Sequence, residues 1–410
     1  MEQQVKFDQV IQCGCGIDVH QKTVVATVRR SDTDFETKEF NTYTRSLKLL
    51  REWCKSEGVT HIAMESTGIY WRPVFNILEE DFEIILVNAR HIKNVPGHKT
   101  DKKDSRWISK LLLSGLLKGS FIPPRDIREL RDLVRYKRKI VGQISSEKNR
   151  IIKILEDCNI KLSSVFSKVS GASASKMIKD IIEGKDEIEG LMDHIHGKVQ
   201  APRSEIRQAL EGTLTDHHRS MLKLVKMSID EKEKLEEEID RQIEKAIERY
   251  AIEIDLLETI PGVGKESAIR MISEIGVDMS KFPNENHLSS WAGMSPGSNE
   301  SAGKKKSSRV IHGNKYLQST LVECGWGATR KKDCLLKRKY ESMVTRRGKK
   351  KALMAVGHKI IIAAYFVIKN KEAYKEPLLN DNPKRKSKQI KNYLAKLKGL
   401  GIEVEVKNVA

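Results

Sequence analysis

The stretch GIDVHQKTVVATV, residues 16–28, reads as two short strands joined by a polar turn. Its first strand carries Asp18 between Ile17 and Val19, where an unpaired charge is expensive to bury. A structural role for that carboxylate needs a cation or a helix N-terminus beside it. A chemical role needs further carboxylates and a metal.

Working outward, residues 16–117 alternate between strand and helix signals. DFETKEFNT (34–42) alternates as a third, edge strand, and SLKLLREWCKSE (46–57) sets Leu47, Leu50 and Trp53 or Cys54 on one side of a helix. THIAMES (60–66) is a fourth strand. GIYWRPVFNILEE (68–80) follows as a helix that tolerates Pro73 near its first turn. EIILVN (83–88) is almost wholly apolar and is expected to be central in the sheet, and DKKDSRWISKLLLSGLL (101–117) is helical. The order βββαβαβα predicts a mixed sheet with helices on its faces, the layout of a ribonuclease H-like domain.

From Asp126 to about Tyr250 the signals are helical almost throughout. The first helix buries Ile127, Leu130, Val134, Val141, Ile144, Ile151 and Leu155, and turns Arg125, Arg128, Arg131, Arg135, Lys137, Arg138 and Lys139 outward. No nearby acid in the sequence balances 135–139, which suggests contact with phosphates. Leu235, Ile239, Ile243 and Ile247 form a narrow apolar seam for a coiled-coil-like partner, with a second subunit as one candidate. LLETIPGVGKESAIRMISEIG (256–276) reads as helix, glycine hairpin, helix. Its turn suits either a DNA phosphate or close helix packing. Residues 291–317 are loop-like and basic, and the tail 384–407 reads as a basic helix and one strand.

The chain has 410 residues and a formal net charge of +19, which favours a polyanionic partner, foremost nucleic acid. Its six cysteines show no CxxC pair, so zinc is not expected and reduced thiols in a cytosol are. The N-terminus lacks a secretory pattern. The apolar run 352–368 is interrupted by His358 and Lys359 and reads as a buried helix, so no membrane partner is expected.

Asp18 has candidate companions. Glu65 ends a strand, at the sheet edge where ligands bind. Asp101 and Asp104 lie three apart at a helix start, on one face. Together they are hard oxygen ligands suited to Mg²⁺, flanked by Lys99, Lys102 and Lys103, which would attract a phosphate backbone. His20 is expected to orient rather than to catalyse.

In this order GIDVHQKT, AMESTGIYW, KTDKKDSRW, IPGVG and PGSNESAGKKK resemble the DEDD transposases of bacterial insertion sequences, the class that includes the Piv and MooV site-specific invertases. The resemblance implies a RuvC-like N-terminal domain (1–124), a helical or coiled-coil middle (125–250), a mostly helical C-terminal transposase domain (251–372) and a basic tail (373–410). It implies that Asp18, Glu65, Asp101 and Asp104 are catalytic and bind Mg²⁺, as two ions. It further implies that Ser301, in Ser301-Ala302-Gly303-Lys304, is a nucleophile that links covalently to DNA. Implied partners are double-stranded DNA at the element ends and target, a structured guide RNA, and further copies in a homodimer or tetramer, in the bacterial cytoplasm at the nucleoid. Arg128, Arg131, Arg135, Arg138, Lys304, Lys305, Lys306 and Arg309 join the three lysines as candidate nucleic-acid contacts. Competing readings are a RuvC-like endonuclease that uses water, and a non-enzymatic nucleic-acid-binding protein.

Overall fold

The computed structural model describes residues 9–66, 68–87, 104–197, 199–297, 299–301, 304–307, 310–376, 383–402 and 404. The chain divides into two compact units, Met1–Ile122 and Pro123–Ala410. In the first, β1 (Gly14–Val19), β2 (Thr23–Arg29), β3 (Phe35–Asn41), α1 (Thr44–Ser56), β4 (His61–Glu65), α2 (Trp71–Leu78), β5 (Glu83–Val87) and α3 (Asp104–Leu113) follow one another. The strands form one sheet in the order β3-β2-β1-β4-β5. β1 pairs antiparallel with β2 and parallel with β4, and β4 pairs parallel with β5. This is the mixed, ribonuclease H-like sheet that the alternation predicts.

Successive side chains of a strand point to opposite faces, and the two faces of this sheet are filled differently. Cys15, Ile17 and Val19 join Ile62, Met64, Leu86 and the buried Leu47, Leu50, Val74 and Leu78 of α1 and α2 in one core. On the other face Ala63 packs with Ile108 and Leu112 of α3. The glycines of β1 explain how that helix sits so low. A Cβ on Gly16 would stand 2.3 Å from the Ser105 carbonyl oxygen and 2.3 Å from the Ser109 nitrogen, and one on Gly14 would meet Leu112 at 2.8 Å. Thr27 and Arg29 of β2 hydrogen-bond to Ser105 and Ser109 at 2.8 and 3.0 Å, pinning the same helix.

β5 corrects an expectation. It closes the strand order at the sheet's edge rather than lying in the centre. Its apolarity has another cause: Ile84 packs on the α1–α2 core and Ile85 on the α3 core, so both faces are covered.

The second unit opens with α4 (Arg125–Asp157), which turns through the short helices α5 (Leu162–Val165), α6 (Ala172–Ile182), α7 (Ile188–Met192) and α8 (Arg203–Leu210) into α9 (Asp216–Ile247). Thr215 caps α9 in a reciprocal box with His218. The two long helices run antiparallel, held in register by Lys137–Asp240 at 2.6 Å, Lys148–Glu233 at 3.0 Å and Asp157–His218 at 3.1 Å. Ile239, Ile243 and Ile247 are buried, whereas Leu235 is 36% exposed. The seam's partner is therefore the chain's own α4, and a second subunit is not needed to cover it.

Beyond lie α10 (Ala251–Glu258), α11 (Lys265–Ile275), α12 (Glu285–Trp291), β6 (Asn299–Ser301), β7 (Lys304–Ser307), α13 (Lys315–Ala328), α14 (Leu335–Arg347), α15 (Lys349–Asn370) and α16 (Pro383–Gly399). The helix–hairpin–helix of α10 and α11 is present, and its turn is a packing device. Gly262, at φ +87°, brings its backbone so close to α13 that a Cβ would meet the Cys324 carbonyl oxygen at 2.3 Å. A phosphate has no access at that glycine. The segment expected to be loop carries the β6–β7 hairpin, and no strand follows α16 among the described residues. α15 is long and apolar enough to cross a bilayer by length and composition. Val356, Ile360, Ile361, Ala364 and Ile368 are instead buried, and the helix packs on α12, α13 and α14 as the core of its unit.

Two glycines give a contrast in stability. Gly16→Ala is expected to cost about 1–3 kcal/mol or more, because backbone rather than a yielding side chain occupies the space. Gly142→Ala, in α4 with nothing within 4 Å of the added methyl, is expected to gain about 0.5–1 kcal/mol. Urea unfolding of the two variants measures both.

Candidate functional site

Asp18 lies on the same face of β1 as Gly14 and Gly16, two residues further on. Glu65 lies on the same face of β4 as Ala63, and Ile17 pairs with Met64, so the two carboxylates occupy neighbouring strand ends on the α3 side. Along β1, Gly14 sits under Leu112 and Gly16 under Ser105 and Ser109. The helix thus runs antiparallel to the strand, and one further step brings Asp18 to the α3 N-terminus, where Asp104 is the first residue. A helix N-terminus on that side offsets part of the cost of burying Asp18. His20 adds a second partner, with Nε2 3.0 Å from Asp18 Oδ2.

The Asp18 side chain is 15% exposed. Burial pushes its carboxyl above the ordinary value and the negative charge of Glu65 adds to the rise, while His20 opposes it. Two carboxylates on neighbouring strand ends, one of them raised by burial and by the charge of the other, form a hard-oxygen donor set of the kind that suits a divalent cation. Asp101, with Lys99, Lys102 and Lys103, lies outside the described residues. Among the described residues no three His, Cys, Asp or Glu side chains gather tightly enough to enclose a metal.

Ser301 ends β6, paired through the backbone with Lys304 of β7; Lys305 and Lys306 share that strand, and Arg309 lies outside the described residues. The base of the hairpin is pinched shut. Pro296 bridges Val310, Ile311 N–H donates to the Ser295 carbonyl at 3.3 Å, and Asn314 N–H to that of Trp291 at 3.2 Å. Gly293 and Gly313 cross so closely that a Cβ on Gly313 would stand 2.2 Å from the Gly293 nitrogen. Asn314 then caps α13, while its side-chain amide donates to Glu274 at 2.6 Å. The sequence alone did not single out Gly293, Gly313 or Glu274. The glycines were visible signals, since glycine marks close backbone approach, but what they approach was not.

Glu274 also corrects the reading of the basic row on α4. Its carboxylate takes two hydrogen bonds from Arg135, both at 2.8 Å. Arg131 donates to the Ser273 and Glu274 carbonyls at 3.0 and 2.7 Å, closing the C-terminus of α11. Lys137 pairs with Asp240 and Glu266. Acids from α9 and α11 therefore meet Arg131, Arg135 and Lys137 of the row. Arg138 donates to Ser319 at 2.8 Å, and Arg128 to the Pro123 carbonyl at 3.2 Å.

Residues 15–160 match the family model of the DEDD transposases of the IS110 type. Residues 254–341 match that of the transposases of the IS116/IS110/IS902 family. Together the matches cover more than half of the chain, and no curated protein matches it. Gly313→Ala is expected to destabilise the unit by about 1–3 kcal/mol, since the added methyl would meet the Gly293 backbone rather than a yielding side chain; urea unfolding measures it.

Proposed function

The chain belongs to the IS110-type family of DEDD transposases of insertion sequences, and from that premise we propose how it acts on DNA. Asp18, Glu65, Asp101 and Asp104 hold Mg²⁺, as two ions, and Ser301 is the nucleophile. The observation that carries this reading is the placement of Asp18 and Glu65 on neighbouring strand ends beside the helix that begins at Asp104. Bound there, the metal would stabilise charge on the attacking and leaving oxygens of a phosphodiester.

The steps for the chain's own residues follow. The Ser301 hydroxyl, weak until deprotonated, gives up its proton and forms a bond to phosphorus. The bridging DNA oxygen leaves, taking up a proton, and the strand stays joined to the protein through phosphoserine. Attack by a hydroxyl of another DNA strand then breaks the serine–phosphorus bond and restores Ser301. Energy of the phosphodiester is kept, so rejoining needs no outside supply. Cutting and rejoining several strands calls for more than one copy, as a dimer or tetramer. A structured guide RNA is proposed as a partner beside duplex DNA, supported by the net charge of +19.

Incubation with element-end DNA and Mg²⁺, followed by a denaturing gel, tests the chemistry. The expected result is a protein–DNA adduct that is absent in Ser301→Ala and lost on chelation. Asp18→Asn should lower strand breakage by about 100-fold or more, the loss of a few kcal/mol of charge stabilisation. Cleavage that persists in Ser301→Ala yet needs Asp18 would turn the reading to a water-using nuclease. Binding without any Mg²⁺-dependent breakage would turn it to a non-enzymatic one.

A further inference from the structure

A groove of about 640 Å³ opens between α14, α15 and the segment that follows α15, at residues 372–375. Its floor is apolar, with Leu336 and Val367 buried and Phe366 presented at 44% exposure. Phe366 is held edge-on to the buried Tyr365, with ring centroids 5.3 Å apart, which fixes how its outer face is offered. Around this floor stand Arg338, Lys339 and Lys359. Arg338 approaches Asp333 at a loose 3.9 Å, and neither lysine has an acidic partner among the described residues. Their charges act on His358, whose imidazole burial holds below its ordinary value and both lysines lower further. The one acid in the lining, Glu372, is engaged by Lys375 at 2.8 Å.

An exposed aromatic on an apolar floor, beside two lysines without an acidic partner among the described residues and one loosely paired arginine, is the chemistry that receives stacked bases and their phosphates. We infer that this groove binds single-stranded DNA, one base stacking on Phe366 and the neighbouring phosphates lying against Arg338, Lys339 and Lys359. A duplex does not suit it, because paired bases present no free ring face. The chain's own α16 is a poor occupant, since Lys388, Lys391, Lys396 and Lys398 would bring like charge to the same rim. The choice of DNA over RNA rests on the source of the single strand. The inference rests on the proposed DNA chemistry for its source of single strands, the ends freed when duplex is cut. Its test reads binding alone and needs neither Ser301 nor a metal.

The probe is a fluorescein-labelled 15-nucleotide single-stranded DNA of mixed sequence, titrated with the full chain and followed by anisotropy. Phe366→Ala is expected to weaken binding about tenfold, within the range of one base–aromatic stack. Phe366→Trp should restore it, and binding of a duplex of the same sequence should not change. Arg338→Gln with Lys339→Gln should lower the slope of log affinity against log salt by about 1.4, two phosphate contacts' worth. Urea unfolding of each variant at the wild-type midpoint establishes that it is folded. Three results would overturn the inference: single-strand affinity unchanged in Phe366→Ala, duplex and single strand weakened alike, or RNA of the same sequence bound more tightly than DNA. Unchanged affinity in Phe366→Ala beside an intact Ser301 adduct would sink the groove and leave the proposed chemistry standing.

Discussion

The backbone of α3 lies directly on the backbone of β1, and the candidate site depends on that contact. At Gly16 the space a side chain would use is filled by the Ser105 carbonyl and the Ser109 nitrogen. With any other residue there the helix would ride higher, and its N-terminus would lift away from Asp18. The hydrogen bonds that join Thr27 and Arg29 to the same two serines fix the helix along its axis. Strand pleat then does the rest. Residues 14, 16 and 18 share one face, as do 63 and 65, so Asp18 and Glu65, far apart in the chain, come to neighbouring strand ends on the side of one helix.

The N-terminal sheet was largely legible in the sequence because its signals are local. Alternation marked the edge strand β3, and Leu47, Leu50 and Cys54 were buried as their helical spacing required. The error at β5 is of another kind. Apolarity records how many faces of a strand are covered, not how many neighbours it has, and an edge strand between two helical layers is covered on both. The reading that no acid meets the basic row of α4 failed for a related reason. Glu274 lies 139 residues from Arg135 in sequence, and no local window contains the charge that faces a surface row. The narrow seam of α9 showed that a helix must cover it, but not whose.

Buried ion pairs seldom add much net stability, because both charges lose water. Glu274, 3% exposed at its side chain, is nonetheless met by Arg131, Arg135 and Asn314. Its worth is geometric. One carboxylate ties the end of α11 and the row on α4 to the first residue of the α13 cap, and that cap lies directly after the glycine crossing at the base of the Ser301 hairpin. Oriented donors specify one arrangement of these helices where an apolar contact of equal size would tolerate several. The hairpin itself is short and could not hold its own position. Its placement is borrowed from the helices below.

A last constraint is electrostatic. The protein carries a large cationic excess, yet the site proposed to do chemistry is carboxylate. Burial and mutual repulsion already raise the Asp18 carboxyl, and an approaching phosphodiester would bring a third negative charge to the same strand ends. The N-terminus of α3 offsets part of this, being worth roughly half an elementary charge. That cannot neutralise two carboxylates and a phosphate together. On the proposed chemistry the missing positive charge is divalent and arrives from solution. On that chemistry the acidic strand ends would not attract DNA by themselves, and the carboxylates would fix where the added charge must sit.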